Sequence, residues 1–304
     1  MLDYSALLAL AAVVETGSFD RAAARLAVTP SAISQRIKQL EERTGAALVV
    51  RGQPSRATPV GARLVRHVSE IGLMEARLSQ DLSAELPGPL VSEAARPVRI
   101  AVNADSLATW FIDAMRGAPD YLFDLVIDDQ DHSADWLRRG EVSAALSAHA
   151  GVLPGCDRID LGNMRYRVVT APGFLRRWCP EGVTAETLSR APALTYDMKD
   201  GLQRRWAHAV FGEEIAMPTH WLPSSHGFAE AARAGLGYGA NPEFLIRDDL
   251  AAGRLVEVIP DTPLDVPLAW QVGRLIAPAL APLTASVRRA WATATEATTA
   301  TNTV

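Results

Sequence analysis

Lysine is nearly missing from this chain: Lys38 and Lys199 stand against 28 arginines in 304 residues. The bias fits a GC-rich genome and carries no function by itself, although a lysine kept at position 38 is suggestive. Cysteine is as scarce. Cys156 and Cys179 are too few for a disulfide framework and lack ligand partners at finger-like spacing, so plain packing is their expected role. No run of about 18 apolar residues is present to span a bilayer. The start, "MLDYSALLALAAVVETGSFD", has neither the basic n-region nor the cleavage site of a signal peptide. A cytoplasmic protein without membrane contact is therefore expected. A Gly-rich phosphate loop, a nucleophile elbow and a metal pattern are also missing. "GLGYG" at 235–239 has the wrong spacing for a dinucleotide site and reads as a turn entering a strand. His132, His149, His208 and His226 show no metal-site spacing. No cofactor is indicated.

What is present is a length sufficient for two or three compact units and a large core. The net charge of -5 argues weakly against nucleic acid, but it hides an asymmetry. Residues 1–66 carry a net +4 and the remainder a net -9. The basic excess lies where a DNA-binding module would need it.

From Asp3 to Glu15, Leu7, Leu10, Ala11 and Val14 fall at helical spacing, and Thr16-Gly17 ends the run. Ser18 can cap a second helix lined by Phe19, Ala22, Ala23 and Leu26, and Thr29 a third with Pro30 at its first position. "LVVRGQPSRATP", 48–59, has a β-like start, turn residues and two arginines, Arg51 and Arg56, as a small hairpin wing would. A long helix is expected from beyond Pro59 to about Ser83, with Leu64, Val68, Ile71, Leu78 and Leu82 along one stripe. Its seven-residue spacing asks for a partner helix, the alternative being packing on its own body.

The third helix raises the question of function. With Ile33 as reference, Ile37 and Leu40 lie within about 40° of it, while Ser31, Ser34, Gln35 and Lys38 take the opposite half. A short, donor-rich face without bulk is what a helix entering the major groove requires. Gln35 can pair bidentately with adenine, the serines can reach phosphate or base edges, and Arg36 and Lys38 can neutralise phosphates. Alone, such a helix would read as a solvated face. Two helices before it and a basic wing behind it favour DNA.

Beyond a Pro- and Gly-containing linker at 84–97, strands and helices alternate: "VRIAVN", a helix from Asp105, "FDLVIDD", a helix near 134–139, "SAALSA". A second series follows Val168: "ALTYD", a helix near 202–210, "THWLP", a helix from Ser225 to Ala234, then "LVEVI". Such alternation implies an α/β fold with a parallel sheet covered by helices. "PLAWQVGR" and a helix near 282–294 return to the first lobe, and "TATEATTATNTV" is expected to fray.

"GSFDRAAARLAVTPSAISQRIKQLEERTGAALVVR" resembles the N-terminal winged helix-turn-helix of the LysR-type transcriptional regulators, and the resemblance runs over essentially the whole chain. It implies a winged helix-turn-helix at 1–58, a dimerising linker helix at 59–83 and a hinge at 84–97. An effector domain of two-lobed, type 2 periplasmic-binding-protein kind then fills 98–304, with lobe I at about 98–167 and 266–297 and lobe II at about 168–265. By the same resemblance Pro30, Ser31, Ser34, Gln35, Lys38 and Arg51 face DNA. Val49 departs from the family's common Leu-Phe pair, a change expected to touch packing rather than reading. "LVVRGQPSRATPVGARL", "NADSLATWF", "LRRGEVSAALS" and "PSSHGFAEAARAG" are similar to the ArgP branch, also called IciA or LysG. That branch senses lysine or arginine and controls a basic amino-acid exporter. Many other family members have an Asp-Leu-Ala pattern at the place of Val142 to Ala145. The implied partners are double-stranded DNA, a small basic effector, a second copy or three more copies of the chain, and RNA polymerase.

Ligands of two-lobed α/β folds sit between the lobes, at strand ends and helix starts. Asn103, Asp105 and Ser106 occupy such a place in one lobe, and Ser224, Ser225 and His226 in the other. Free N–H groups and hydroxyls there suit an α-carboxylate, although each segment is equally readable as a capped helix. Asp128 and Asp129 end "FDLVIDD" and Asp197 ends "ALTYD", where carboxylates can meet an ammonium or a guanidinium. Plain solvation is the competing role for each aspartate. Trp110, Trp136, Tyr196, Trp221 and Trp270 are candidates for packing on an aliphatic stem, with the core the commoner place for most. Two other classes fit less well. An enzyme lacks its chemistry here, and a secreted solute-binding protein has no use for the first 83 residues.

Overall fold

The computed structural model describes residues 3–82, 85, 96–128, 133–148 and 151–301. Three helices open the chain: α1 (Tyr4–Thr16), α2 (Phe19–Arg25) and α3 (Pro30–Thr44). Each start is set by one oxygen. Asp3 accepts from Ser5 N–H, Ser18 from Arg21 N–H and Thr29 from Ala32 N–H. Gly17 and Gly45 end α1 and α3 in the left-handed conformation. The strands β1 (Val49–Val50) and β2 (Arg56–Ala57) pair antiparallel as the wing. Leu7, Leu10, Val13, Ile33, Ile37, Leu40 and Leu48 form a core of their own under it.

Helix α4 (Pro59–Asp81) leaves this core. Thr58 accepts from Gly61 N–H at 3.1 Å and donates to Ala47 O at 2.8 Å, so one hydroxyl joins the cap to the wing. The expected stripe is divided among surroundings. Leu64 and Val68 pack on the N-terminal core, Ile71 is half-buried and Leu78 is 52% exposed, while Leu73, off that stripe, packs in the core of the second unit. Arg66 Nε donates to Gly140 O at 2.5 Å, a further contact with the second unit. Of the linker at 84–97, only Glu85, Arg96 and Pro97 fall within the described residues, the last two already inside a strand.

The second unit contains β3 (Arg96–Val102), α5 (Ala104–Thr109), α6 (Phe111–Arg116), β4 (Tyr121–Ile127), α7 (Ser133–Arg138), β5 (Ala144–Ser147) and β6 (Cys156–Thr170). Then follow α8 (Pro172–Trp178), α9 (Ala185–Arg190), β7 (Ala193–Thr195), α10 (Leu202–Phe211), β8 (Thr219–Trp221) and α11 (Ser225–Arg233). The chain finishes with β9 (Gly239–Pro242), α12 (Glu243–Ala251), β10 (Val256–Glu257), β11 (Leu264–Gly273) and α13 (Ala281–Thr301). A sheet ordered β10-β6-β11-β5-β3-β4, with β9 also on β6, runs through both lobes. The first lobe holds β3, β4, β5, β11 and the near part of β6. The far end of β6 carries β9 and β10 into the second lobe, where β7 and β8 pair and Ala193 bridges Tyr238.

Three features depart from expectation. The sheet is mixed: β3 is parallel to β4 and β5, and β7 to β8, but β6 and β11 run antiparallel to their neighbours. Strand β6 escapes a periodicity reading because its neighbours change along its length, so its burial does not alternate. Helix α13 continues to Thr301 where fraying is expected. Its buried Leu283, Val287 and Trp291 anchor the first turns, and an alanine-rich continuation carries the helix onward.

Candidate functional site

Two places concentrate polar side chains beyond what the fold requires. On α3, Ile33, Ile37 and Leu40 are buried, while Pro30, Ser31, Gln35 and Lys38 are exposed and Ser34 and Arg36 half-buried. Ser31 Oγ lies 2.9 Å from the capping Thr29 Oγ1, which leaves the rest of the face toward solvent. Lys38 Nζ is 3.8 Å from Glu42 Oε1, one turn along. Arg51 and Arg56 are exposed on the wing, and the Arg51 guanidinium stacks on the Phe19 ring at 5.0 Å. Glu41 Oε1 accepts from Leu48 N–H at 2.8 Å, which fixes the wing's start against α3. The face and the wing arginines are held by a common core and present donors outward.

The second place is a cavity of about 370 Å³ between the lobes. Strand ends and helix starts build it: Asn103 and Asp105 after β3, Asp128 after β4, Tyr196, Asp197, Lys199 and Asp200 after β7, Ser225 opening α11, and Asn241 on β9. Asn103 holds the N-cap position of α5, yet its side chain makes no capping bond. The side chain is buried, and its Oδ1 has no partner among the described residues. Asn241 is alike: Nδ2 donates to Gly239 O at 3.2 Å and buried Oδ1 has no partner among the described residues. Two desolvated acceptors are thus unspent at one cavity.

Around them stand four carboxylates. Asp105 is crowded on most sides, and that desolvation holds its pKa above the ordinary carboxylate value. The Ser225 and Tyr166 hydroxyls act against that rise, Tyr166 donating to Asp105 Oδ2 at 2.8 Å, while nearby Asp200 adds to it. Asp128 accepts from the Trp136 indole at 2.8 Å and pairs with Lys199 Nζ at 3.0 Å. Asp197 Oδ1 braces the turn through Lys199 N–H at 2.7 Å and Asp200 N–H at 3.1 Å. Asp200 in turn accepts from Tyr196 N–H and Leu202 N–H, each through one oxygen. Burial, then Asp105 and Asp197, push the Tyr196 phenol up, so it stays protonated and can donate.

Of the candidates read from sequence, Asn103, Asp105, Asp128, Asp197 and Ser225 line this cavity. Ser106 is fully buried beside it without lining it. Ser224 accepts from Gly227 N–H at 3.1 Å as the cap of α11, and His226 is exposed on that helix. Neither lines the cavity. Asp129 lies outside the described residues. Tyr196 is the candidate aromatic that lines it, and Trp136 touches it through Asp128. Trp110 and Trp270 are core residues, and Trp221 is 53% exposed. Lys199, Asp200, Phe228 and Asn241 are added by the fold: the first two follow β7, and Phe228 and Asn241 sit within α11 and β9, whose positions only the lobes' packing sets.

No helix among the described residues is long and apolar enough to cross a membrane. No cluster of three metal-ligating side chains occurs among them.

Both units of the chain match models of known proteins. Residues 4–62 match the model of the bacterial regulatory helix-turn-helix protein, lysR family, and residues 92–292 match the LysR substrate binding domain. The regulator LysG of Mycobacterium tuberculosis H37Rv is 46% identical over 289 residues, which cover 95% of this chain and 93% of that protein. The crystal structure of ArgP from Mycobacterium tuberculosis superposes with a TM-score of 0.79 at 45% identity, over 96% of this chain and 98% of that one. Full-length LysG from Corynebacterium glutamicum with bound effector Arg superposes with a TM-score of 0.66 at 34% identity, over 95% and 98% of the two chains. The chain belongs to the LysR family of transcriptional regulators and is of the LysG/ArgP type.

Proposed function

We propose that this regulator binds operator DNA as a dimer or tetramer in the cytoplasm and senses a basic amino acid in the interlobe cavity, arginine before lysine, to control a gene for its export. The observation that carries the effector is the chemistry of the cavity. Unspent acceptors on Asn103 and Asn241, with Asp105, Asp128, Asp197 and Asp200 around them, call for a ligand rich in N–H donors and positive charge. The Ser225 hydroxyl and the start of α11 offer the place for the α-carboxylate. Arginine is favoured by the Corynebacterium glutamicum relative, whose structure holds it.

For DNA, α3 would lie in the major groove with Gln35 and the serines at base edges, and Arg36, Lys38, Arg51 and Arg56 at phosphates. Paired copies would then read half-sites a whole number of helical turns apart. Segments 1–58, 59–83, 84–97 and 98–304 would serve as reader, dimerising helix, hinge and sensor, with RNA polymerase the outlet of the signal. Effector binding would favour one arrangement of the paired copies.

A thermal-shift series with the twenty amino acids tests the sensor. A ligand at 100 times its dissociation constant adds about 2.7 kcal/mol of stability when only the folded state binds it. A shift with arginine or lysine alone is the expected result, and a shift with another amino acid instead would assign the cavity to a different pathway. A mobility-shift titration on the gene's own upstream region tests the reader. Absence of salt-dependent binding there would remove the DNA-binding reading.

A further inference from the structure

Among the described residues, the cavity described above already has a cation of its own in its lining. Lys199 stands on the turn between β7 and α10, in the second lobe, and its Nζ lies 3.0 Å from Asp128 Oδ1, at the end of β4 in the first. The two partners are unequal. The Lys199 side chain is 51% exposed, whereas Asp128 is 15% exposed and its other oxygen is engaged by Trp136 Nε1 at 2.8 Å. The carboxylate is the desolvated half of the pair, and the lysine is the half whose own charge is solvated when it swings into water, provided that another cation takes its place beside the carboxylate.

We infer that Lys199 is a tethered competitor of the effector: its ammonium occupies at Asp128 the place that the cationic end of the ligand takes. The inference rests on the basic-effector reading. A carboxylate has lone pairs enough for more than two donors, so room at the oxygens does not decide the matter. Charge does. Two cations about 4 Å apart beside a partly buried carboxylate repel more strongly than they would in water, so the guanidinium or ammonium of a ligand drives Lys199 off. Backbone N–H groups of their own turn hold Asp197 and Asp200 in place. The turn stays in place while the side chain leaves. Lys199 thereby sets specificity as well as threshold: a ligand without a positive end cannot displace it and gains nothing from its removal.

Calorimetric titration of the full chain with L-arginine, L-lysine and L-citrulline, which keeps the length of arginine without its charge, tests this. The wild type is compared with K199Q and K199R, each first confirmed folded by its thermal transition. K199Q is expected to bind arginine about fivefold more tightly than the wild type, the factor equivalent to about 1 kcal/mol for an ion pair whose cation is half solvated. K199R, which keeps the tethered cation, stays within about twofold of wild type by the same argument, and citrulline gains nothing from K199Q. Equal or weaker arginine binding by K199Q, with the wild type binding normally, overturns the inference alone and makes Lys199 a ligand contact or a bystander. A wild type that binds neither arginine nor lysine overturns the effector reading, and the inference with it.

Discussion

The chain's two lysines sit in its two functional regions, each beside a carboxylate, and the pairs differ in kind. Lys38 and Glu42 on the reading face are 74% and 63% exposed and 3.8 Å apart. Lys199 and Asp128 at the cavity are closer, and the carboxylate is largely desolvated. The proposed reading face keeps its polar groups in water, so recognition there would work by releasing counterions and exchanging water for phosphate and base edges. At the cavity, Asn103 and Asn241 were desolvated when the chain folded, and a ligand there would gain from acceptors that have no partner among the described residues. One region should respond to salt and the other to protons and to charge in the ligand.

The difference presumes that the regions rest on separate cores, and Gly61 gives the hardest blow to that premise. A Cβ built on Gly61 would stand 2.0 Å from the Leu48 carbonyl oxygen, backbone that cannot step aside without moving the wing. Gly61→Ala is expected to cost the N-terminal unit about 3 kcal/mol through overpacking, read as a lower urea midpoint for its transition. The arginine-induced thermal shift of the second unit should persist. A loss of both would mean that Leu73 and Arg66, which tie α4 to the second unit, fuse the two regions into one cooperative body.

The next effect divides the reading face itself. Gln35→Ala should cost about 2 kcal/mol of discrimination at one base pair and little elsewhere, whereas Lys38→Ala should weaken all sequences alike and reduce the salt slope by about 1. Binding isotherms at several salt concentrations, on operator and on scrambled DNA, separate the outcomes. Identical behaviour of the two variants would mean that Gln35 touches backbone.

At the cavity the corresponding probe is pH. Because the folded-state pKa of Asp105 is raised, the native protein holds that proton more tightly than the unfolded chain does. Its contribution to stability is therefore greatest below the unfolded value near 3.8 and declines as pH rises through the raised folded value. A cationic ligand prefers the ionised carboxylate, so binding expels the proton and arginine affinity should climb with pH in that window, by at most about tenfold per pH unit for one proton. Asp105→Asn should flatten the climb. Tyr166, Ser225, Tyr196 and Asp200 face the same group, and a slope that survives in Asp105→Asn would show that Asp105 is not the group that loses the proton.

These probes also mark what could be read from sequence. The reading face was legible because its pieces are neighbours along one helix: a cap at Thr29, a proline behind it, and a 3.6-residue period separate Ile33, Ile37 and Leu40 from Ser31, Gln35 and Lys38 without any knowledge of the tertiary fold. The cavity is drawn from β3, β4, β7, β9 and α11. Asn103, Asp105, Asp128, Asp197 and Ser225 announced themselves as strand ends and helix starts, but Asn241 did not, because β9 is four residues long and pairs antiparallel with a strand that shows no alternation. Ser224 shows the opposite error. A serine before a helix is as good a cap as a ligand group, and here it is the cap. Lys199 carried no local signal at all, since its importance lies in reaching a carboxylate 71 positions away.

The smallest expected effect tests the pairing at Lys38 directly. An exposed i,i+4 pair contributes about 0.3–0.5 kcal/mol, so Glu42→Gln should lower stability by no more than that. On DNA the sign reverses. Phosphate competes with Glu42 for the same ammonium, and the substitution removes both the competitor and a negative charge near the groove, so affinity for every sequence should rise, by about twofold at moderate salt. The increase should fade as salt is raised, because both cations and anions are then screened within a Debye length of about 8 Å or less. The same exchange at Asp128 must behave otherwise. Removing a solvated competitor sets a cation free for DNA, whereas removing the desolvated carboxylate takes away the site on which lysine and effector compete, so Asp128→Asn should lose arginine binding at any salt. If Glu42→Gln and Asp128→Asn both weaken their ligands, Glu42 positions Lys38 for phosphate and the contrast between the two pairs reduces to distance alone.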